Sequence, residues 1–294
     1  MSVSILSSSD FAAISQTLSA KGLAIIDIKH PLFTASVSLY GGQVLSWQPT
    51  GHEEVFWLSK TTEYKKGKAI RGGIPICWPW FGPNIDAEGK NGGNHGFARI
   101  NHWQVIRHAI TDQEVTLVLE FIGENEHSLW SEKFRVLQTL VFSTTFTQQL
   151  SIDNLSTKTV EFSSALHSYL KVSNPNNVQV PQLINTFFDD KISNKKQQKD
   201  QLTNCVGPID RIYYCSEKQV VIDEGLQRKI MLESSHCQQW VLWNPGQVIA
   251  ENMSDIHSNG EDEFICLEAA NTNWQSIAAG KGLTLSQNIS LAKI

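Results

Sequence analysis

Two residues of the 294-residue chain have the type and the setting for proton transfer. His167 lies in Phe162-Ser-Ser-Ala-Leu-His-Ser-Tyr-Leu-Lys-Val172, which as a strand puts Phe162, Leu166, Leu170 and Val172 on one face. Ser163, Ala165, His167, Tyr169 and Lys171 then share the other, more polar face. A histidine there is a hydrogen-bonded structural residue, the commoner case, or a proton donor, since its ordinary pKa lies near neutrality. Glu268 stands in Phe264-Ile-Cys-Leu-Glu-Ala-Ala270, a run apolar on both faces and therefore expected as a buried strand. Burying its charged form costs several kcal/mol unless hydrogen bonds or a cation compensate, so structural pairing and catalysis fit it equally well.

Two arginines have the chemistry for an anion. Arg71, in Ala69-Ile-Arg-Gly-Gly-Ile-Pro-Ile-Cys-Trp-Pro-Trp-Phe-Gly82, adjoins two glycines that allow close backbone approach, and the aromatic group after them could support a ring. Arg99 closes His95-Gly-Phe-Ala-Arg99. A planar guanidinium donates two parallel hydrogen bonds to a phosphate, but arginines paired with carboxylates at the core edge are equally common. The stretch Trp240-Val-Leu-Trp-Asn-Pro245 reads as core plus turn. No G-x-S-x-G, G-x-x-x-x-G-K, G-x-G-x-x-G or H-E-x-x-H pattern occurs, which removes support for hydrolase, nucleotide-binding and zinc-protease chemistry. His102 and His108 lie near Trp103, but no third ligand clusters with them, so no metal and no other cofactor is expected.

The elements that must carry these residues are mostly strands. Ser9 or Asp10 could cap a short helix with Phe11, Ile14 and Leu18 on one face, ended by Lys21-Gly22. Beyond it the period changes to two. Ala35, Val37 and Leu39 alternate in one segment, and Val115, Leu117, Leu119 and Phe121 in another. Phe134 to Phe142 and Phe146 to Asn154 continue the pattern, the latter with Phe146, Leu150 and Ile152 set against Thr147, Gln149, Ser151 and Asp153. Further strands are expected at 160–172, 220–223, 230–232, 239–243, 264–270 and 283–289. Long turn-rich stretches separate them, notably Gly67 to Gly96, with eight glycines and three prolines, and the lysine-rich 189–201. Many short strands with neither linker nor internal repeat predict an all-β sandwich or barrel in one domain.

Bulk composition sets outer bounds. Hydrophobic residues are 41% and charged residues 18%, with nine Trp and thirteen Phe, a globular balance. A formal charge of −5 provides no field for nucleic acid or an anionic membrane, and neither is expected as a partner; an anionic ligand would need local basic residues. Five cysteines, odd in number and without a C-x-x-C pair, suggest a reducing compartment. Met1 to Asp10 lacks both a basic start and an apolar stretch, and no later run approaches a membrane-spanning length, so a cytoplasmic protein is expected.

Taken together, Tyr40-Gly-Gly-Gln-Val-Leu-Ser-Trp47, Ile70 to Gly82, His95 to Arg99, Ala165 to Val172 and Cys266-Leu-Glu-Ala-Ala-Asn271 resemble the glucose-6-phosphate 1-epimerase family, relatives of aldose 1-epimerase. The order of the segments matches too. The likeness runs from roughly residue 30 to the C-terminus, and its combination of motifs is specific although each piece is weak. The resemblance implies a galactose-mutarotase-like β-supersandwich, expected over 23–294, acting as a monomer on a hexose 6-phosphate; the helical extension expected over 1–22 lies outside the likeness. By position it makes His167 and Glu268 the catalytic pair and places Arg71, Asn94, His95, Arg99 and Asp210, in Pro208-Ile-Asp-Arg-Ile-Tyr213, in the substrate-binding site. Asn94 stands where members often carry glutamine, and Ala269 where many have proline. The competing readings are an aldose 1-epimerase for unphosphorylated sugars and a non-catalytic protein that binds a carbohydrate or sugar phosphate.

Overall fold

A computed structural model describes residues 4–85, 89–216 and 218–294. Its frame is three antiparallel sheets. Five strands from Ser4–Ser8 to Gln43–Pro49 pair in chain order. A back sheet of eight runs Val178–Gln179, Gln219–Asp223, Arg228–Ser235, Gly282–Lys293, Phe146–Asn154, Phe134–Phe142, Val115–Gly123 and Gln104–Ile110. A front sheet runs Lys195–Gln198, Phe188–Asp190, Ile209–Tyr213, Gln239–Asn244, Phe264–Ile277, Val160–Leu166 and Ile76–Cys77, and Tyr169–Lys171 also pairs with Phe264–Ile277.

Alternating side chains explain the layering. Phe134–Phe142 and Phe146–Asn154 pair residue for residue, from Phe134 opposite Asn154 to Phe142 opposite Phe146, and every second side chain is buried. Phe142, Phe146 and Leu150 from the back sheet share one core with Phe162, Leu166, Leu242 and Leu267 from the front sheet, so the two pack face to face. Burying each such side chain stabilises the fold by about 1.5–3 kcal/mol, and a one-residue slip would turn a whole strand's set to the wrong face. The front sheet is covered on both sides, as the sequence of Phe264–Ala270 predicts. Ile265, Leu267 and Ala269 enter the main core, while Ala270 packs on the other face with Cys77, Ala165 and Val241.

The N-terminal segment corrects an expectation. Residues 4–18 form no helix but the strands Ser4–Ser8 and Ala13–Leu18, the outer pair of the five-stranded sheet. Ser9 does accept hydrogen bonds from the N–H groups of Phe11 and Ala12, 3.1 and 3.2 Å, as a helix cap would, but the turn it closes joins two strands. Tertiary pairing outweighs the helical spacing. Ile14 is buried beside Ile26 and Ile28 of the neighbouring strand, and Thr17 donates to Asp27 across the pair at 2.7 Å. Among the described residues the one α-helix is Gly246–Ala250. No helix among them is long and apolar enough to cross a membrane.

Candidate active site

The register of one strand pair creates the centre of the site. Leu166 lies opposite Ala269 and Tyr169 opposite Cys266, which sets His167 across from Glu268. His167 Nε2 is 3.3 Å from Glu268 Oε1, and the two residues are only 6% and 1% exposed. The ladder is interrupted beside the pair: the Leu267 N–H still donates to Ser168 O at 3.1 Å, but the Ser168 N–H folds back to Leu166 O at 3.0 Å, while the His167 N–H donates to Pro75 O on its other side at 3.1 Å. The imidazole lies flat on Tyr169, centroids 4.8 Å apart, and edge-on to His95 at 5.7 Å. Glu268 Oε2 and His167 Nδ1 are buried with no partner among the described residues. An unpaired buried polar atom costs free energy comparable to a lost hydrogen bond, so two on one pair point to chemistry.

Burial also sets the protonation of the pair. It raises the Glu268 carboxyl well above the ordinary range, helped by the negative charge of Asp210. It lowers His167 well below its ordinary value, helped by its neighbour His95 and by the cations Arg99 and Arg71. Both groups move toward their neutral forms. His95 is lowered to about 3 by burial and by Arg99 and Arg71, so it is neutral. Its Nδ1 accepts from the Gly82 N–H at 3.2 Å, which leaves the ring proton on Nε2.

Arg71 is held from two sides. Nε and Nη2 both reach Asp255 Oδ2 at 3.0 Å, and Nη1 donates to the Tyr169 hydroxyl at 2.8 Å. The pairing with a carboxylate that the sequence left open is therefore present, and the same residue still lines the cleft. Its two glycines do what the sequence suggests. At Gly73, φ +61, a Cβ would strike Val44 O; at Gly72, φ +113, it would strike Trp57 O. Among the described residues Arg99 has no carboxylate partner and its buried Nε no partner at all; Nη2 donates to Asn94 O at 2.8 Å. Burial raises the carboxyl of Asp210, opposed by Lys191.

All seven residues expected at the site, His167, Glu268, Arg71, Asn94, His95, Arg99 and Asp210, line one cleft of ≈ 290 Å³. That is at the small end of ligand pockets, a fit for a monosaccharide. Sequence reasoning missed Lys191, Trp243 and Met253 in its wall and Asp255 behind it. Lys191 had a signal, since it falls in the long lysine-rich stretch; Trp243 was read as core, and Met253 and Asp255 carried none.

Residues 24–292 match the sequence pattern of aldose 1-epimerase. The chain belongs to the aldose 1-epimerase family and is an isomerase. An Escherichia coli K12 protein provisionally named glucose-6-phosphate 1-epimerase is 35% identical over 288 residues, 95% of each chain. A Salmonella typhimurium crystal structure provisionally described as a mutarotase superimposes with a TM-score of 0.88 at 33% identity, over 99% of this chain and 97% of that one. A galactose mutarotase-like protein from Clostridium acetobutylicum, 15% identical, shares the fold with a TM-score of 0.73 over 97% of this chain and all of its own.

Proposed function

We propose that this epimerase interconverts the α and β anomers of a hexose 6-phosphate, with Glu268 as base and His167 as acid. The observation that carries the reading is the buried His167–Glu268 pair, 3.3 Å apart, with a heteroatom on each member that has no partner among the described residues. Anomerisation moves two protons at oxygens bonded to the same carbon. Glu268 takes the proton of the C1 hydroxyl while His167 protonates the ring oxygen, and the C1–O5 bond breaks to leave an open-chain aldehyde. After rotation about C1–C2 the ring oxygen attacks the other face of C1. His167 recovers its proton from that hydroxyl, Glu268 returns one to O1, and no net charge or electron is transferred.

The phosphate is assigned to Arg71 and Arg99, with Lys191 as a third cation lining the same cleft. The names of the relatives support that substrate. Binding energy at the phosphate would fix C1 and O5 against the pair. The Arg71–Asp255 pairing favours a second reading, an unphosphorylated aldose, because Asp255 already neutralises part of the arginine's charge. Saturation-transfer NMR of glucose 6-phosphate and glucose decides between them. Exchange is expected to accelerate for the phosphate, and to drop by about 10²- to 10⁴-fold in His167→Ala and in Glu268→Gln. Equal use of both sugars would replace the substrate; undiminished exchange in either variant would overturn the mechanism.

A further inference from the structure

Three glutamines occupy inward-facing positions of the back sheet where alternation calls for apolar side chains. Gln138 lies between Val136 and Leu140, Gln148 between Phe146 and Leu150, and Gln287 between Leu285 and Ile289 on its face. All three are essentially inaccessible, at 0%, 0% and 1% exposure. They form one chain of hydrogen bonds. Gln287 Nε2 donates to Gln148 Oε1 at 2.8 Å, Gln148 Nε2 to Gln138 Oε1 at 2.6 Å, and Gln138 Nε2 to Gly42 O at 2.6 Å.

The near end of the chain reaches the site. Gln287 Nε2 also donates to Ser168 Oγ at 3.0 Å, and that hydroxyl lies 3.2 Å from Gln287 Oε1 as donor. Ser168 follows His167 directly and sits in the strand break that turns the histidine toward Glu268, its own N–H folded back to Leu166 O at 3.0 Å. The far end is equally fixed. Beside Gly42, Gln43 Nε2 bonds the carbonyls of Ile70 and Gly72 at 3.2 and 2.6 Å, on either side of Arg71. All the amides point one way, so flipping any one of them would set donor against donor or acceptor against acceptor.

We propose that Gln138, Gln148, Gln287 and Ser168 are positioning residues that hold His167 in line with Glu268, suspending it from the same buried frame that clasps the Arg71 loop. The proposal rests on His167 acting as the proton donor. Stability alone does not call for buried amides here, since a sandwich core of apolar side chains meets no desolvation cost. What the chain adds is direction: it fixes the Ser168 backbone through a route that no apolar contact could specify so narrowly.

The test separates placement from folding. Gln148→Met cuts the chain in its middle, away from the cleft, and is expected to lower kcat for glucose 6-phosphate anomerisation by about 10- to 100-fold. KM should change by less than about 3-fold, because the Gln43 clasp on the Arg71 loop remains. The Gln148→Met single variant leaves amides unpaired and loses thermal stability. The triple variant Gln138→Met, Gln148→Met, Gln287→Met removes them together, so its melting temperature should recover while kcat stays low. Imidazole ¹⁵N shifts of His167 should move in both. Ser168→Ala, with little volume change, is the companion variant should the triple one not fold, and is expected to share the kcat loss. Wild-type kcat in folded Gln148→Met or Ser168→Ala would overturn the proposal. Full exchange in His167→Ala would instead overturn the mechanism on which it rests.

Discussion

Glu268 cannot be accounted for as a stabilising residue. It is 1% exposed, its near contact is a histidine that burial keeps from charging, and its second oxygen has no partner among the described residues. Because its folded-state pKa is raised, its favourable contribution is present below the ordinary carboxylate range and is lost as pH rises through the raised value. Glu268→Gln keeps the shape and removes the charge. It is expected to be more stable than the wild type by about 1 kcal/mol, with the gap in denaturant titrations widening as pH rises above the ordinary carboxylate range toward the raised value. A variant less stable at every pH would mean that the carboxylate is structurally satisfied. The same opposite shifts shape catalysis. With Glu268 raised and His167 lowered, the pair holds one proton between the two displaced values; in the free cleft it rests on Glu268, and the assigned roles require it to cross the 3.3 Å to His167 before the C1 hydroxyl is deprotonated. The profile of kcat/KM against pH should therefore be flat-topped, its acid limb below the ordinary histidine value of about 6.5, and its limbs belong to the pair. An acid limb at or above that value would contradict the assignment.

At the scale of elements, the site depends on two strands and one turn. The strands were legible. Phe134–Phe142 and Phe146–Asn154 carry their alternation in the letters, and their bounds in the structure are those the pattern gives. The pairing of His167 with Glu268 was not, because register between segments a hundred residues apart leaves no mark in either one. Long-range partners account for the other gaps. Asp255 meets Arg71 across 184 positions, and the hairpin at residues 4–18 overrides a local helical spacing. The turn at Arg71 offers the sharper test. Gly73 has positive φ, and a Cβ there would meet the Val44 carbonyl, a backbone atom that cannot swing aside. Gly73→Ala is expected to cost about 1–3 kcal/mol in denaturant unfolding and to weaken sugar-phosphate binding by shifting Arg71. Wild-type stability in that variant would show that the turn is soft.

Over the whole molecule, charge runs against the proposed substrate. The formal charge is −5, yet the cleft wall carries Arg71, Arg99 and Lys191. At physiological ionic strength fields fade over about 8 Å, so the dianion responds to the local cations once near the cleft and hardly to the remote acidic surface. The three cations are not equivalent. Arg71 is tied to Asp255 and Tyr169 and Arg99 to a backbone carbonyl, while Lys191 lines the same cleft as an exposed residue. Salt should therefore weaken the contribution of Lys191 most, because exposed charges are screened and buried ones much less. Raising ionic strength is expected to increase KM for glucose 6-phosphate, with little effect on glucose. Lys191→Ala should raise KM for the phosphate by only about 2- to 5-fold and remove most of that salt dependence. Arg71→Ala should raise it more, by at least about 10-fold, and leave the salt dependence in place. If Lys191→Ala kept the full salt response, the dianion would be read by the half-buried arginines alone, and the lysine would contribute neither to its binding nor to its approach.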